Sequence, residues 1–302
     1  MARIAYFGPQ GTFTEQAARV LAAGDELVPA ETIRLALTAV RHGEADAACV
    51  PVENSVEGAV TATLDGLSDA DPLVAVAEAI LPVHFSVLKR PGTTEIRTVA
   101  SHPHALAQVR DWLEANLPGA TPVASSSTAA AAVGVHAGDF DAAVTAPVAV
   151  EHYPLEVVAT GVADVSDART RFLLVRKPGE LPEPTGADRT SIVAAAVNRT
   201  GTLAELLTEL ASRGINLTRL DARPTRDNFG EYRFFIDFEG HVAEPRIIDA
   251  LAALRRRCRN LRFLGSHPRA DGIRSTIEPG ADNDSFLDAT AWVDAVRKGD
   301  LA

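Results

Sequence analysis

Apolar and polar positions come in alternating blocks along this chain, and the blocks read in turn as strands and helices. Residues 3–7 form a near-continuous apolar run, the pattern of a buried strand. Gly8-Pro9-Gln10-Gly11-Thr12-Phe13-Thr14-Glu15 interrupts it, with Thr12 and Glu15 at capping-box spacing. A helix is therefore expected from about residue 12 to Gly24. Its free N–H groups would face whatever binds at the end of the strand. A second helix is expected over residues 32–41 and a strand over 47–52, which runs into Glu53-Asn54-Ser55-Val56-Glu57-Gly58. Asn54 or Ser55 can cap a helix reaching about residue 67. Residues 73–80 and 81–88 read as strands that cross to a second lobe.

The second lobe repeats that grammar. A short strand at 98–100 leads into Ser101-His102-Pro103-His104-Ala105-Leu106-Ala107-Gln108. Ser101 can cap a helix that Pro103 helps to start, and Gln108 would lie two turns in. Val123-Ala124-Ser125-Ser126-Ser127-Thr128 opens an alanine-rich helix, and a strand at 141–145 precedes Pro147. Residues 157–162 then lead to Ser166-Asp167-Ala168-Arg169-Thr170-Arg171-Phe172-Leu173-Leu174-Val175, a polar turn that closes as an apolar strand. Four strand-to-helix junctions thus carry hydrogen-bonding groups: Thr12, Glu53 with Asn54, Ser101, and Ser126, Ser127 and Thr128. Two lobes of this kind imply a cleft, and these groups suit a small carboxylate-bearing ligand. Glu53 stands at the end of a strand, where open α/β sheets place their chemistry; the alternative is a solvated loop acid.

A linker over residues 178–186, rich in proline and glycine, marks a domain boundary. Beyond it come a strand at 190–197, a helix at 203–212 ending at Gly214, and a strand at 215–223 stopped by Pro224. The turn Asp227-Asn228-Phe229-Gly230, a strand at 231–238, a helix at 244–257 and a strand at 261–264 complete a β-α-β-β-α-β module. Its sheet is expected to keep one face open and to have edges that can pair with a second copy, so an oligomer is expected. A tail from Ala270 holds one helical piece, at 286–296.

Composition narrows the function classes. A chain of 302 residues has room for two or three domains, and 46% hydrophobic with 23% charged residues is the balance of a soluble globular protein. A net charge of −11 argues against a nucleic-acid partner, and the basic run Arg255-Arg256-Arg257-Cys258-Arg259 fits the C-terminus of a helix. Cys49 and Cys258 lie far apart, which excludes a disulfide framework and a cysteine-rich metal site and fits a reducing cytoplasm. His102 and His104 lack a third ligand at helical spacing, so no metal is expected. The N-terminus reads as a strand and not a signal peptide, and no apolar run approaches the roughly 20 residues that span a bilayer. Neither a nucleotide-binding glycine pattern nor a nucleophile–base pair stands out. Chemistry in the cleft would rest on hydrogen bonds, electrostatics and positioning.

Four motifs carry a resemblance: Gly8-Pro9-Gln10-Gly11-Thr12-Phe13, Pro51-Val52-Glu53-Asn54-Ser55, the Ser101 to Gln108 stretch, and Thr170-Arg171-Phe172. In this order, over roughly residues 1–268, the chain resembles prephenate dehydratases that carry a C-terminal ACT regulatory domain. The resemblance implies an α/β protein. Its parts are a two-lobed, periplasmic-binding-protein-like catalytic domain (1–178, second lobe about 81–160), a linker (179–187), a ferredoxin-like ACT domain (188–268) and a tail (269–302). It implies conversion of prephenate to phenylpyruvate, water and carbon dioxide without a cofactor, as a step of phenylalanine biosynthesis. A phenylalanine-type effector on the ACT domain, and a homodimer or homotetramer through ACT domains, are implied as well.

The family's active-site set falls on Thr170, Glu53, Asn54, Ser101 and Gln108. Thr12, Ser126, Ser127, Thr128, Arg171 and Phe172 follow as substrate contacts. A threonine hydroxyl is a weak acid, so Thr170 reads as a hydrogen-bond donor or relay at the leaving hydroxyl; a protonated Glu53 is the other candidate acid. Arg171 can grip a carboxylate or order the turn, and Phe172 can wall the ring or belong to the core. The effector motifs fall on Gly201, Thr202 and Leu203 and on Asp221, Arg223 and Pro224, joined by Asn216 and Leu217. Both depart from the usual Gly-Ala-Leu and Glu-Ser-Arg-Pro. The competing reading is a non-catalytic two-lobed binder or sensor of an aromatic carboxylic acid.

Overall fold

The structure, a computed structural model, describes residues 1–165, 167–196, 199–225 and 231–300. Ser166 and the predicted turn at 227–230 lie outside these residues. The chain forms two compact units: Met1–Gly66 with Glu78–Lys177, and Leu67–Ala77 with Pro178–Ala302.

The first unit starts with β1 (Arg3–Phe7), α1 (Phe13–Leu21), β2 (Glu26–Ala30), α2 (Ile33–His42) and β3 (Ala47–Asn54). Each helix begins where the sequence puts an N-cap: Thr12 accepts from the Glu15 N–H and Thr32 from that of Leu35. β1 lies between β2 and β3, parallel to both. The junction after β3 departs from expectation. A two-residue strand, β4 (Gly58–Ala59), folds back on β3, and α3 (Thr61–Ser68) begins only afterwards. Neither Asn54 nor Ser55 caps that helix. The apolar stretch that follows divides as β5 (Val74–Pro82) and β6 (Ser86–Lys89). The break falls at Pro82, which closes β5, and not between residues 80 and 81 as the apolar pattern suggests.

The second lobe of this unit adds β7 (Thr98–Ser101), α4 (Pro103–Ala107), α5 (Arg110–Asn116), β8 (Thr121–Ala124), α6 (Thr128–Ala137), β9 (Ala142–Thr145) and β10 (Glu156–Thr160). Its sheet runs β10-β6-β9-β7-β8. Leu88, Ala100, Ala131, Val135 and Ala143 form one core beneath α6, whose alanines let the helix sit close on the sheet. β11 (Arg169–Arg176) then pairs antiparallel with β3, back in the first lobe's sheet.

The second unit contains β12 (Asp188–Ala195), α7 (Thr202–Ala211), β13 (Leu217–Pro224), β14 (Tyr232–Glu239), α8 (Pro245–Arg257), β15 (Asn260–Pro268) and α9 (Asn283–Arg297). The strand order β13-β14-β12-β15, antiparallel throughout, is that of a ferredoxin-like module. Ile192, Ala194, Ile236 and Phe238 meet Leu206, Leu210, Ile247 and Leu254 of the two helices in one core. The other face is not open, as the sequence reading expected: Ser191, Val193 and Phe235 are buried there too. The Leu67–Ala77 segment, far away in sequence, joins this unit. Asp69 pairs with Arg233 at 2.5 Å, and Arg262 donates to the carbonyls of Leu67, Asp69 and Ala70. The basic run closes α8, as expected, and Arg257 in it pairs with Glu209 of α7.

Candidate active site

The first unit holds a cavity of about 280 Å³ between its two lobes. From the first lobe it is lined by Thr12, Phe13, Asn54, Glu57, Thr170 and Phe172, and from the second by Phe85, His102, His104, Gln108, Ser126, Ser127 and Thr128. Phe13 and Phe85 meet edge to face across the lobes at 5.7 Å.

The β3–β11 ladder decides which motif residues face this space. Thr170 stands opposite Asn54, and Arg171 opposite Glu53; a bulge then sets Phe172 opposite Pro51. Successive side chains on a strand point to opposite faces. Thr170, Phe172, Asn54 and Pro51 line the cavity, while Arg171 and Glu53 are not among its lining residues. Arg171 is buried elsewhere, with Nε 2.6 Å from Glu78 Oε2 and Nη1 3.9 Å from Glu53 Oε2. The ion pair is the geometry of a structural role for Arg171, and Glu53 lies off the cavity for the same reason of pleat. Phe172 both lines the cavity and is part of the first lobe's core.

Asn54 is fixed by its neighbours. Its Oδ1 accepts the main-chain N–H groups of Val56 (2.9 Å) and Glu57 (3.0 Å), and Gly58 completes the turn with φ of 82°, a conformation that suits glycine. Main-chain N–H groups only donate, so the amide's oxygen must face them and its Nδ2 must face outward. Nδ2 donates to Thr170 Oγ1 at 2.9 Å. With that lone pair engaged, the Thr170 O–H is the group left to donate into the cavity.

Two helix N-termini reach the same space. Thr12 caps α1, and Ser127 caps α6 by accepting from the Ala130 N–H. First-turn N–H groups and the helix dipole make such ends favourable for anions. The loop before α1 is held by Glu15, whose Oε2 accepts the Gly11 N–H at 2.6 Å while Oε1 meets Arg19 at 2.6 Å and His152 at 2.8 Å. Gly11 has φ of 87°, and a Cβ there would stand 3.2 Å from Ala149 Cα, so the motif glycine answers to both backbone and packing.

Ser101 does not cap the helix that follows it. It is fully buried and donates to Val144 O at 2.6 Å, tying β7 to β9. His102, not Ser101, is the residue before α4, and its ring accepts from the His104 N–H. Burial, and then the neighbouring His104, lower the His102 pKa. Gln108 closes α4 at its C-terminal end and lines the cavity. The sequence reading missed Glu57, which lines the cavity and meets both Gln108 Nε2 (3.2 Å) and His104 Nδ1 (3.2 Å). Its contact partners lie about fifty positions on, so no local spacing signalled it.

In the second unit the effector residues fall into two groups. Gly201, with φ of 83°, precedes Thr202 and Leu203 at the start of α7. Arg223 and Pro224 lie at the far end of β13, level with Ala195 through β14, while Leu217 lies at the near end beside Phe238. Asn216 donates to Glu239 at 3.1 Å, and Asp221 accepts from Arg219 at 2.6 Å. Asn216 and Leu217 therefore stand about the length of α7, roughly 15 Å, from Gly201.

Comparison with known proteins decides the family. A family model described as prephenate dehydratase matches residues 4–180, and one described as ACT domain matches residues 190–256. A prephenate dehydratase of Amycolatopsis methanolica is 78% identical over 304 residues, covering all of both chains. The chain belongs to the prephenate dehydratase family. Its enzymatic activity is that of a prephenate dehydratase, and the ACT domain places it among the members that carry one. A crystal structure of prephenate dehydratase from Arthrobacter aurescens in complex with L-Phe is 43% identical, with a TM-score of 0.92 over 98% of this chain and 99% of that one. A second solved structure, GqqA, described as a novel type of quorum-quenching acylase, is 32% identical with a TM-score of 0.80, covering 88% of this chain and 97% of that one. Among the described residues, no helix is long and apolar enough to cross a membrane, and no group of three His, Cys, Asp or Glu side chains is placed to hold a metal ion.

Proposed function

We propose that the inter-lobe cavity binds prephenate and that Thr170 donates its hydroxyl proton's hydrogen bond to the leaving ring hydroxyl. In this reaction the electron pair of the ring C–carboxylate bond moves into the ring and carbon dioxide departs. The C–O bond to the hydroxyl breaks in turn, and the departing hydroxide takes up one proton, supplied in the net reaction by solvent, to leave as water. Aromatisation drives the step, so the protein's task is to bind, orient and assist the leaving oxygen. The observation that carries the assignment is the Asn54 Nδ2 bond to Thr170 Oγ1, which turns the threonine into a donor toward the cavity. Asn54 is the positioning residue of the pair, and Gln108 is a further substrate contact. The two substrate carboxylates are matched to the starts of α1 and α6, with Ser126, Ser127 and Thr128 as hydroxyl contacts; Thr12, whose O–H donates to the Phe7 carbonyl, contributes by capping α1. Phe172, Phe13 and Phe85 wall the ring and exclude water.

Amide hydrolysis of the kind named for GqqA calls for an activated nucleophile. Thr170 has an amide donor at its oxygen where such a nucleophile would need a base, so dehydration is the better fit.

In this reading the catalytic domain spans 1–178, the linker 179–187, the ACT domain 188–268 and the tail 269–302. Phenylalanine is the effector, a reading supported by the complex of the Arthrobacter enzyme with L-Phe. Gly201, Thr202, Leu203, Asn216, Leu217, Asp221, Arg223 and Pro224 are the contacts assigned to it. Because Asn216 and Gly201 are separated by the length of α7, one site using both groups requires a second copy of the module, which favours a homo-oligomer joined through ACT domains. The free, buried cysteines Cys49 and Cys258 support a cytoplasmic setting. The test is phenylpyruvate formation from prephenate, followed by absorbance with and without phenylalanine. Turnover that phenylalanine alters is expected; no turnover, with prephenate still bound, would leave only a sensor.

A further inference from the structure

We infer that Glu57 is a positioning residue: it fixes the Gln108 amide so that the carbonyl oxygen faces the cavity and accepts the hydrogen of the substrate's ring hydroxyl. The inference rests on the cavity being the prephenate site, as proposed above.

Gln108 is 8% exposed and lines the cavity. Its Nε2 donates to Glu57 Oε1 at 3.2 Å, and its Oε1 has no hydrogen-bond partner among the described residues. A carboxylate only accepts, so Glu57 takes the NH₂ end of the amide and leaves the carbonyl end for the ligand. Glu57 is itself held from both sides. Its main-chain N–H is bound to Asn54 Oδ1 at 3.0 Å, and its Oε2 lies 3.2 Å from His104 Nδ1. The turn that orients the Asn54 amide therefore also sets the residue that orients the Gln108 amide.

A buried acceptor without a partner is costly, so Oε1 selects a ligand that can donate to it. Prephenate carries two carboxylates and a ketone, which only accept, and one hydroxyl, which is its single donor. Gln108 Oε1 can be satisfied by that hydroxyl alone. A hydroxyl that donates to Gln108 keeps its lone pairs for the Thr170 O–H, so the two amides together set both sides of the leaving oxygen. Phenylpyruvate in its keto form has no such donor, and the contact is lost when water leaves.

The test is Glu57→Gln in the full-length protein. The new amide can donate to Gln108 Oε1 and lets the Gln108 NH₂ turn to the cavity. We expect kcat/KM for prephenate to fall by about 30-fold, the scale expected when one buried hydrogen-bonding group loses its partner. The inhibition constant of phenylpyruvate should stay within about twofold, and Tm within about 2 °C. In a Gln108→Ala background the same substitution should change kcat/KM by less than about twofold, because no amide remains to be oriented. A parallel weakening of phenylpyruvate would overturn the inference by making Glu57 a mere cavity wall. The full loss persisting beside Gln108→Ala would overturn it by making Glu57 act alone. Wild-type protein that binds phenylpyruvate but turns over no prephenate would remove the cavity reading, and this inference with it.

Discussion

On the cavity face of the β3–β11 ladder Asn54 donates to Thr170 across 2.9 Å; one residue along, on the opposite face, Arg171 donates to Glu78 across 2.6 Å. The first pair is neutral and borders a space open to a ligand. The second is charged, with side chains 6% and 0% exposed. A neutral hydrogen bond adds only about 0.5–1.5 kcal/mol net, whereas stripping one partner from a buried ion pair costs about 3–5 kcal/mol. Two adjacent motif residues thus serve separate ends, and the pleat assigns them. The neutral pair can be altered with little harm to the fold and great harm to chemistry; for the charged pair the reverse should hold.

Four substitutions probe that contrast. Thr170→Ala should lower kcat by a thousandfold or more, about 4 kcal/mol of barrier, with Tm nearly unchanged. Steady-state kinetics alongside a thermal melt would show it, and a mutant of near-normal rate would dissolve the contrast. Arg171→Ala should cost about 3–5 kcal/mol of stability in a urea titration; a fully stable but inactive variant would move Arg171 back among the substrate contacts. Asn54→Asp replaces the donor by an acceptor, so the Thr170 O–H turns away from the cavity. A kcat loss of about a hundredfold, with KM little changed, is expected. Glu53→Gln should alter kcat by less than about twofold, since Glu53 is 42% exposed and lies off the cavity; a large loss would restore it as the acid.

Much of this arrangement can be read from sequence where the cause is local. Thr12 and Thr32 begin their helices because a hydroxyl stands three residues before an N–H it can accept, and the β-α-β-β-α-β order follows from periodicity and turns. Thr170, Asn54 and Gln108 are nominated through the resemblance of their motifs to those of the family. What failed depended on partners remote in sequence. Ser101 looks like a helix cap until β9 supplies the Val144 carbonyl. Arg171 looks like a carboxylate clamp until Glu78, 93 positions earlier, takes its guanidinium. Glu57 draws no reading at all, because only α4 brings Gln108 and His104 to it. The covered face of the second sheet was invisible for the same reason, because Leu67–Ala77 is far from the strands it joins.

The turn after β3 bears on what the sequence is free to change. The groups that hold the Asn54 carbonyl oxygen belong to the main chain at residues 56 and 57, and every amino acid except proline supplies them. Exchanging the side chains there leaves the threonine's orientation untouched. Position 56 can accordingly drift while the Gln108 contact holds position 57 to its acid, and the proton-donating end of the site is transmitted unaltered through the peptide backbone.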